Sequence, residues 1–170
     1  GSFIEELALS DPASDFAVNE LKPKLVEAIV ARIRRSGLRN VRVLVGDARR
    51  AIPGRTAPAT FTRVMVNHPD PWPKRRHASR RLLGPEFLHL LATRLVEGGD
   101  LIVVSDVQEY LASVRALLEA LPGLRNAFGP GGGAAALPGY PRSHYQRKEE
   151  SLGRTVGFLR FIREGPLPPF

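Results

Sequence analysis

Apolar segments of two lengths alternate along this chain, and that alternation constrains its fold more than any other feature. Short apolar runs, Asp15 to Glu20, Val41 to Val45 (rich in β-branched residues), Phe61 to Val66 and Asp100 to Ser105, read as strands. Longer stretches with helical spacing lie between and after them. Lys22 to Arg35 carries Leu25, Val26, Ile29, Val30 and Ile33 on one stripe and stops at Gly37, Pro85 to Val96 is closed by Gly98-Gly99, and Val107 to Leu121 is helical again. A further helix follows Gly1-Ser2-Phe3. Strand and helix in this order imply right-handed βαβ crossovers, hence an α/β fold with a mostly parallel sheet and helices on both faces. Ligands of such sheets bind beyond the carboxyl ends of the strands. Glu20, Asp47, Asn67 to Asp70 and Asp106 all fall there. Any one of these acids is ordinarily a helix cap or a solvated loop residue, but four of them along one edge point to a site.

The remainder reads as one domain over 1–170. Phe128 to Tyr140, rich in Gly and Pro, is expected to be a flexible connection; Tyr145 to Lys148 and Arg154 to Arg163 are expected as edge strands, and 165–170 as a tail. No apolar run approaches the ~20 residues of a spanning helix, so no membrane role is expected. The first ten residues do not resemble a secretory signal, which makes the cytoplasm the expected compartment. There is no cysteine, and His68, His77, His89 and His144 lack metal-ligand spacing, so no metal is expected. The net charge of +8, with a pI of about 10.7, costs self-repulsion unless an anionic partner offsets it, and a nucleic acid is the leading candidate.

The stretch from Asn67 to Arg81 carries the chemistry. Pro69, Pro71 and Pro73 stiffen it and bias the residue before each toward extended geometry, holding Asp70 and Trp72 in place. Lys74, Arg75, Arg76, Arg80 and Arg81 then supply positive charge with no acid among them, the density expected of a phosphate contact. For Trp72 itself, packing is the expected role rather than base stacking.

The string Pro69-Asp-Pro-Trp-Pro-Lys-Arg-Arg-His77, followed by Pro85-Glu-Phe-Leu88, closely resembles the signature of the bacterial single-chain tRNA (guanine-N7)-methyltransferases. The likeness extends to Phe16 to Glu20, Leu38 to Ala48, Glu97 to Asp106 with Tyr110, and Ser143 to Leu159. It implies a Rossmann-like class I methyltransferase sheet with an antiparallel C-terminal strand, S-adenosyl-L-methionine as cofactor, and tRNA as partner, in a monomer or homodimer. Residue by residue, the resemblance implies that Glu20 binds the cofactor ribose, that Asp47 lies near the adenine, and that Asn67 and Asp70 sit at the junction of cofactor and substrate. Asp70 would be the catalytic acid. Lys74, Arg75, Arg76, His77, Arg80 and Asp106 would bind the RNA, with Ser143 and Gln146 where the family has a Thr-x-x-Glu pair for the target nucleoside. The Gln removes a charge there, and Asn19 stands where the family often has an aliphatic residue. The family's opening strand and glycine-rich turn would fall before Gly1, so the first strand is absent from this sequence. Either residues upstream supply it, or the chain is a shortened relative with a rearranged sheet.

The implied reaction needs positioning more than acid-base chemistry, because guanine N7 already holds an in-plane lone pair. Asp70 and Asp106 are expected to accept hydrogen bonds from the Watson–Crick edge of the base, with Asp70 also near the transferred methyl. Two rivals remain: a non-catalytic RNA-binding relative that has lost the cofactor, and a methyltransferase for another RNA or a small molecule.

Overall fold

The structure is a computed structural model that describes residues 1–72, 75–141, 146–147 and 151–169. The chain divides into two compact units, residues 1–55 with 139–148, and residues 56–138 with 149–170.

The first unit begins with helix α1, Ser2–Ser10, which buries Ile4 and Ala8 at the i, i+4 spacing of one helix face. Strand β1, Phe16–Glu20, follows, then helix α2, Pro23–Arg35. Pro23 opens α2 where a missing N–H costs nothing, and Arg32, Arg34 and Arg35 crowd its last turn, where the helix dipole favours cations. Gly37 then adopts φ 64°, a left-handed turn suited to glycine. Strand β2, Val41–Val45, pairs in parallel with β1, Phe16 opposite Val41 through Glu20 opposite Val45. Helix α3, Ala48–Ala51, is a single turn beyond it. Ile4, Ala8, Ile29 and Val41 form the core of this unit, with Phe16, Val18, Ile33, Leu38 and Val43 packed around them. Of the stripe expected on α2, Leu25 stays exposed.

The second unit holds a four-stranded sheet in the order β3-β4-β6-β5. Strand β3, Phe61–Asn67, lies parallel to β4, Leu95–Ser105, and helix α4, Pro85–Arg94, connects them. Helix α5, Gln108–Glu119, leads to β5, Leu124–Asn126, and the chain returns antiparallel through β6, Gly157–Arg163, between β4 and β5. Leu101 to Val104 of β4 are fully buried, against Phe158 and Phe161 of β6 and Leu88, Leu91, Val114 and Leu118 of the helices. The mixed α/β architecture and the antiparallel last strand agree with the sequence.

Four expectations change. The Gly98-Gly99 pair does not stop α4, which already ends at Arg94. It forms a bulge inside β4, where the register with β3 shifts between Phe61 and Arg63. A side chain on Gly99 would meet the backbone oxygen of Thr62 at 2.9 Å, so the strands approach too closely there for anything larger. Gln146 and Arg147 are helical rather than extended. The edge of the sheet is β5 rather than β6, which occupies an interior position. The segment expected to be flexible is fastened at its start: Glu119 Oε1 accepts from Gly131 N at 2.7 Å and from Asn126 Nδ2 at 3.0 Å, and Ala134 bridges to Phe158. Among the described residues no helix is long and apolar enough to cross a membrane.

Candidate active site

In the second unit, β3 and β4 end side by side, and the loop beyond β3 carries Asp70. His68 N donates to Val104 O at 2.8 Å, which extends the strand pairing by one residue. The chain then turns sharply, with His68 at φ 46° and Trp72 at φ 40°. Both precede prolines, so the extended geometry expected for them is not what forms. A left-handed conformation at a bulky residue costs of order 1–3 kcal/mol and persists only where its surroundings over-determine it. Those surroundings are visible. Arg81 Nε donates to Pro71 O at 2.9 Å and its Nη2 to Trp72 O at 3.3 Å, a two-point clamp on consecutive carbonyls. The guanidinium of Arg80 lies 5.1 Å over the Trp72 ring, and His77 meets the same ring edge-on at 5.6 Å. Trp72 thus packs against the side chains of Arg80 and His77 of the same loop.

The clamp is anchored in turn, since Arg81 also lies 5.6 Å over the ring of Tyr110 on α5. Burial pushes the Tyr110 hydroxyl up, and the negative charge of Asp70 adds to the effect, while Arg81 opposes it. Pro69 is buried and Asp70 exposed, so the loop is pinned on one side of its carboxylate and open on the other.

Asp106, one residue past β4, is sunk into the surface with 11% of its side chain exposed. Its Oδ1 lies 3.5 Å from His68 Nδ1 and its Oδ2 3.5 Å from Arg154 Nη1. Asp70 and Asp106 therefore extend from the carboxyl ends of neighbouring strands, as the sequence predicts.

In the first unit, Glu20 and Asp47 follow the same rule. Glu20 ends β1, and its Oε1 accepts from the backbone N–H groups of Leu21 and Lys22, both at 2.8 Å. Asp47 caps α3 by accepting from Arg49 N at 3.0 Å. Arg49 folds back onto it, its Nη2 at 2.7 Å from Oδ2, and these bonds hold the Asp47 carboxyl below the usual carboxylate range. The turn between β2 and α3 passes through Gly46 at φ 125°, a conformation that favours glycine. Asn19 Nδ2 braces it, donating to Leu44 O at 2.9 Å and Gly46 O at 3.1 Å, which gives the unusual residue at position 19 a local role.

Of the other candidates, Arg75 to Arg80 form a 3₁₀ turn in which Arg76 is exposed, with its Nε 3.3 Å from His77 Nε2. Asn67 is the last residue of β3. Gln146 is only 3% exposed. Lys74 and Ser143 lie outside the described residues. Sequence reasoning gave no individual role to His68, Arg81 or Arg154. Arg81 was counted only as charge, and the signal for its clamp was its place ten residues after Pro71, just before the next helix. Among the described residues no group of three acids or histidines is arranged to hold a metal ion.

A family model described as "Putative methyltransferase" matches residues 1–157 of the chain, across both units. The tRNA (guanine-N(7)-)-methyltransferase of Syntrophotalea carbinolica is 34% identical over 163 residues, 96% of this chain and 70% of that protein. The enzyme of the same name from Bordetella pertussis is 35% identical over 164 residues, 96% of this chain and 63% of its own length. The chain therefore spans about two thirds of these relatives. Among solved structures, a 30S ribosomal A1408 methyltransferase from an uncultured bacterium superposes with a TM-score of 0.68 at 16% identity, over 96% of this chain and 82% of that one. A methyltransferase from Pyrococcus furiosus does so with 0.66 at 14% identity, over 96% and 70%. At such identities these two matches establish the Rossmann-like methyltransferase fold and no more.

Proposed function

From the premise that the chain belongs to the family of tRNA (guanine-N(7)-)-methyltransferases, we propose that it methylates N7 of a variable-loop guanine in tRNA, with S-adenosyl-L-methionine as methyl donor. The observation that carries this reading is Asp70, exposed on a loop whose Pro71 and Trp72 carbonyls Arg81 clamps, with the half-buried carboxylate of Asp106 at the tip of the neighbouring strand. A rigid acid at the carboxyl edge of the strands is what an alignment-limited reaction requires.

The residues present fit the cofactor. Glu20 and Asp47 end adjacent parallel strands, backbone N–H groups orient both carboxylates, and acceptors of this kind suit the hydroxyls of a ribose and the amino group of an adenine. When bound, it supplies a sulfonium methyl that is already electrophilic. The chain's own task is to orient the base. Asp70 and Asp106 accept hydrogen bonds from the Watson–Crick edge, and their negative charge favours a base that becomes cationic as the N7 lone pair forms its bond to the methyl carbon. The target base must leave its stack to be reached. Arg76, exposed on the 3₁₀ turn, holds the RNA backbone meanwhile. A single methyltransferase domain comprising the whole chain is part of this proposal, supported by a family match that runs through both units.

The test uses the full chain, unmodified tRNA and the methyl donor, with 7-methylguanosine measured by mass spectrometry. Asp70→Ala is expected to lower the rate by ~10²-fold or more, the scale of losing one transition-state contact, while tRNA affinity changes less than about twofold. Equal loss of rate and affinity would remove the catalytic role of Asp70. A native protein that binds tRNA without methylating it would remove the reaction.

A further inference from the structure

Asp106 shares the tip of β4 with a cation. Arg154 Nη1 lies 3.5 Å from Asp106 Oδ2, an ion pair that sets a guanidinium with several N–H donors beside the carboxylate. Their exposures differ in a telling way. The carboxylate is 11% exposed and the guanidinium side chain 57%, so a sunken acceptor is flanked by a donor that reaches solvent.

The arginine is not on a loose tether. Gln108, the first residue of α5, donates from Nε2 to Thr155 O at 3.0 Å, one residue beyond Arg154. Strand β6 then begins at Gly157, directly opposite Ser105, the residue before Asp106. The segment lies so close to α5 that a Cβ on Gly157 would meet Leu111 Cδ1 at 2.6 Å. Two elements therefore hold the backbone of 155–157 against the tip of β4, and Arg154 is delivered to the side of Asp106 by construction.

The geometry points to Arg154 as the residue that reads O6 of the target purine, making with Asp106 an acceptor-donor pair that selects guanine over adenine. This inference rests on the guanine-N7 reading above and extends it to how the base is chosen. Guanine presents the N1–H donor immediately beside the O6 acceptor. Adenine presents the reverse at the same two positions, an N1 acceptor beside an N6 amino donor. A carboxylate beside a guanidinium matches the first pattern at both points and opposes the second at both, and discrimination of this type is strong because the wrong base leaves two polar groups unpaired. N7 itself is untouched by either group, as methylation requires. His68 Nδ1 lies 3.5 Å from the other carboxylate oxygen, Oδ1.

The experiment compares tRNA carrying guanine at the target position with tRNA carrying 2-aminopurine there, which keeps N7 and the 2-amino group but lacks O6 and N1–H. Rates are read as kcat/KM, and equilibrium affinities are measured without methyl donor. Arg154→Met is expected to lower kcat/KM on guanine RNA by ~10- to 100-fold, the range of one good base contact, and to leave the already poor 2-aminopurine substrate nearly unchanged. Arg154→Lys should recover part of the guanine activity. Affinity without donor should fall for guanine RNA alone, with its salt dependence unaltered. A loss equal for both bases with a shallower salt slope would make Arg154 a phosphate contact, and no loss for either would make it a solvated ion pair; each overturns the inference. If the native protein methylates neither RNA, the guanine-N7 reading falls first and this one with it, whereas a native enzyme that is active and indifferent to Arg154 sinks only the second.

Discussion

At the scale of single residues, the arrangement around Asp70 separates what residue type reveals from what it conceals. The acids and the run of cations were readable because carboxylates and guanidiniums limit the chemistry of a strand tip. The direction of each cation was not, since a count of charge does not say which guanidinium turns inward. Arg81 turns inward, onto the carbonyls of Pro71 and Trp72 and the face of Tyr110. The left-handed turns at His68 and Trp72 were hidden for a related reason: local preference before proline favours extended backbone, and contacts remote in sequence override it. Arg81 is consequently a positioning residue whose loss should reach the chemistry through Asp70. Arg81→Met is expected to lower kcat by ~10- to 100-fold, or about 1.4–2.7 kcal/mol, with little change in KM for the methyl donor, because the clamp bears on the loop after β3 and not on Glu20 or Asp47. Arg81→Lys, with one point charge in place of a fork, should restore only part of it. A KM effect with kcat intact would show that the clamp serves binding instead.

At the scale of elements, the strands were legible nearly to the residue where β-branched runs end in polar residues, as at Val41–Val45. They were not where glycine has two meanings. Gly98-Gly99 fits a helix stop and a bulge equally well from local sequence, and only pairing with β3 decides between them. Likewise β5, Leu124–Asn126, is too short to carry a periodic signal and exists because β6 offers it an edge. The same bulge region sets the main buried charge of the sheet. Asp100 on β4, 3% exposed, receives Arg63 of β3 through Nε at 2.7 Å and Nη2 at 2.8 Å, and Arg160 of β6 at 2.7 Å. Burial pushes its carboxyl up, but the two guanidiniums outweigh burial and hold it below the usual range. A carboxylate whose folded value is depressed contributes stability that is fully present above the unfolded value of ~3.9 and is lost as pH falls through the folded one. Native protein should therefore lose thermal stability as the pH drops below about 4, whereas Asp100→Asn should start lower at neutral pH and fall less. Because Arg63 and Arg160 are partly exposed, the neutral-pH cost should be about 1–2 kcal/mol rather than that of a fully buried pair, a few degrees in Tm by calorimetry. Parallel pH curves for the two proteins would remove Asp100 as the source.

At the scale of the whole molecule, the net charge of +8 was the first pointer to an RNA partner, yet it overstates the number of cations free to meet phosphate. Arg49 is spent on Asp47, Arg32 on Glu5, Arg125 on Glu164, and Arg63 and Arg160 on Asp100, while Arg80 and Arg81 brace the loop after β3. Charge of this kind raises the field around the protein without releasing a counterion from RNA, because only a cation that approaches a phosphate displaces one. The two contributions separate in a salt titration. Field strength shifts affinity at a given ionic strength, and each direct contact changes the slope of log K against log salt by ~0.7 on single-stranded and ~0.9 on duplex regions. Arg76→Ala, which removes an exposed cation of the 3₁₀ turn, is expected to flatten that slope by about one such step and to weaken binding alike for every tRNA sequence. Arg125→Ala, which removes a cation already neutralised by Glu164, is expected to leave the slope unchanged. Fluorescence anisotropy on tRNA between ~50 and ~200 mM salt reads both. Identical slopes for the native protein and Arg76→Ala would mean that the basic turn contributes only to the diffuse field, and the grip on the RNA would then have to be sought elsewhere on the molecule.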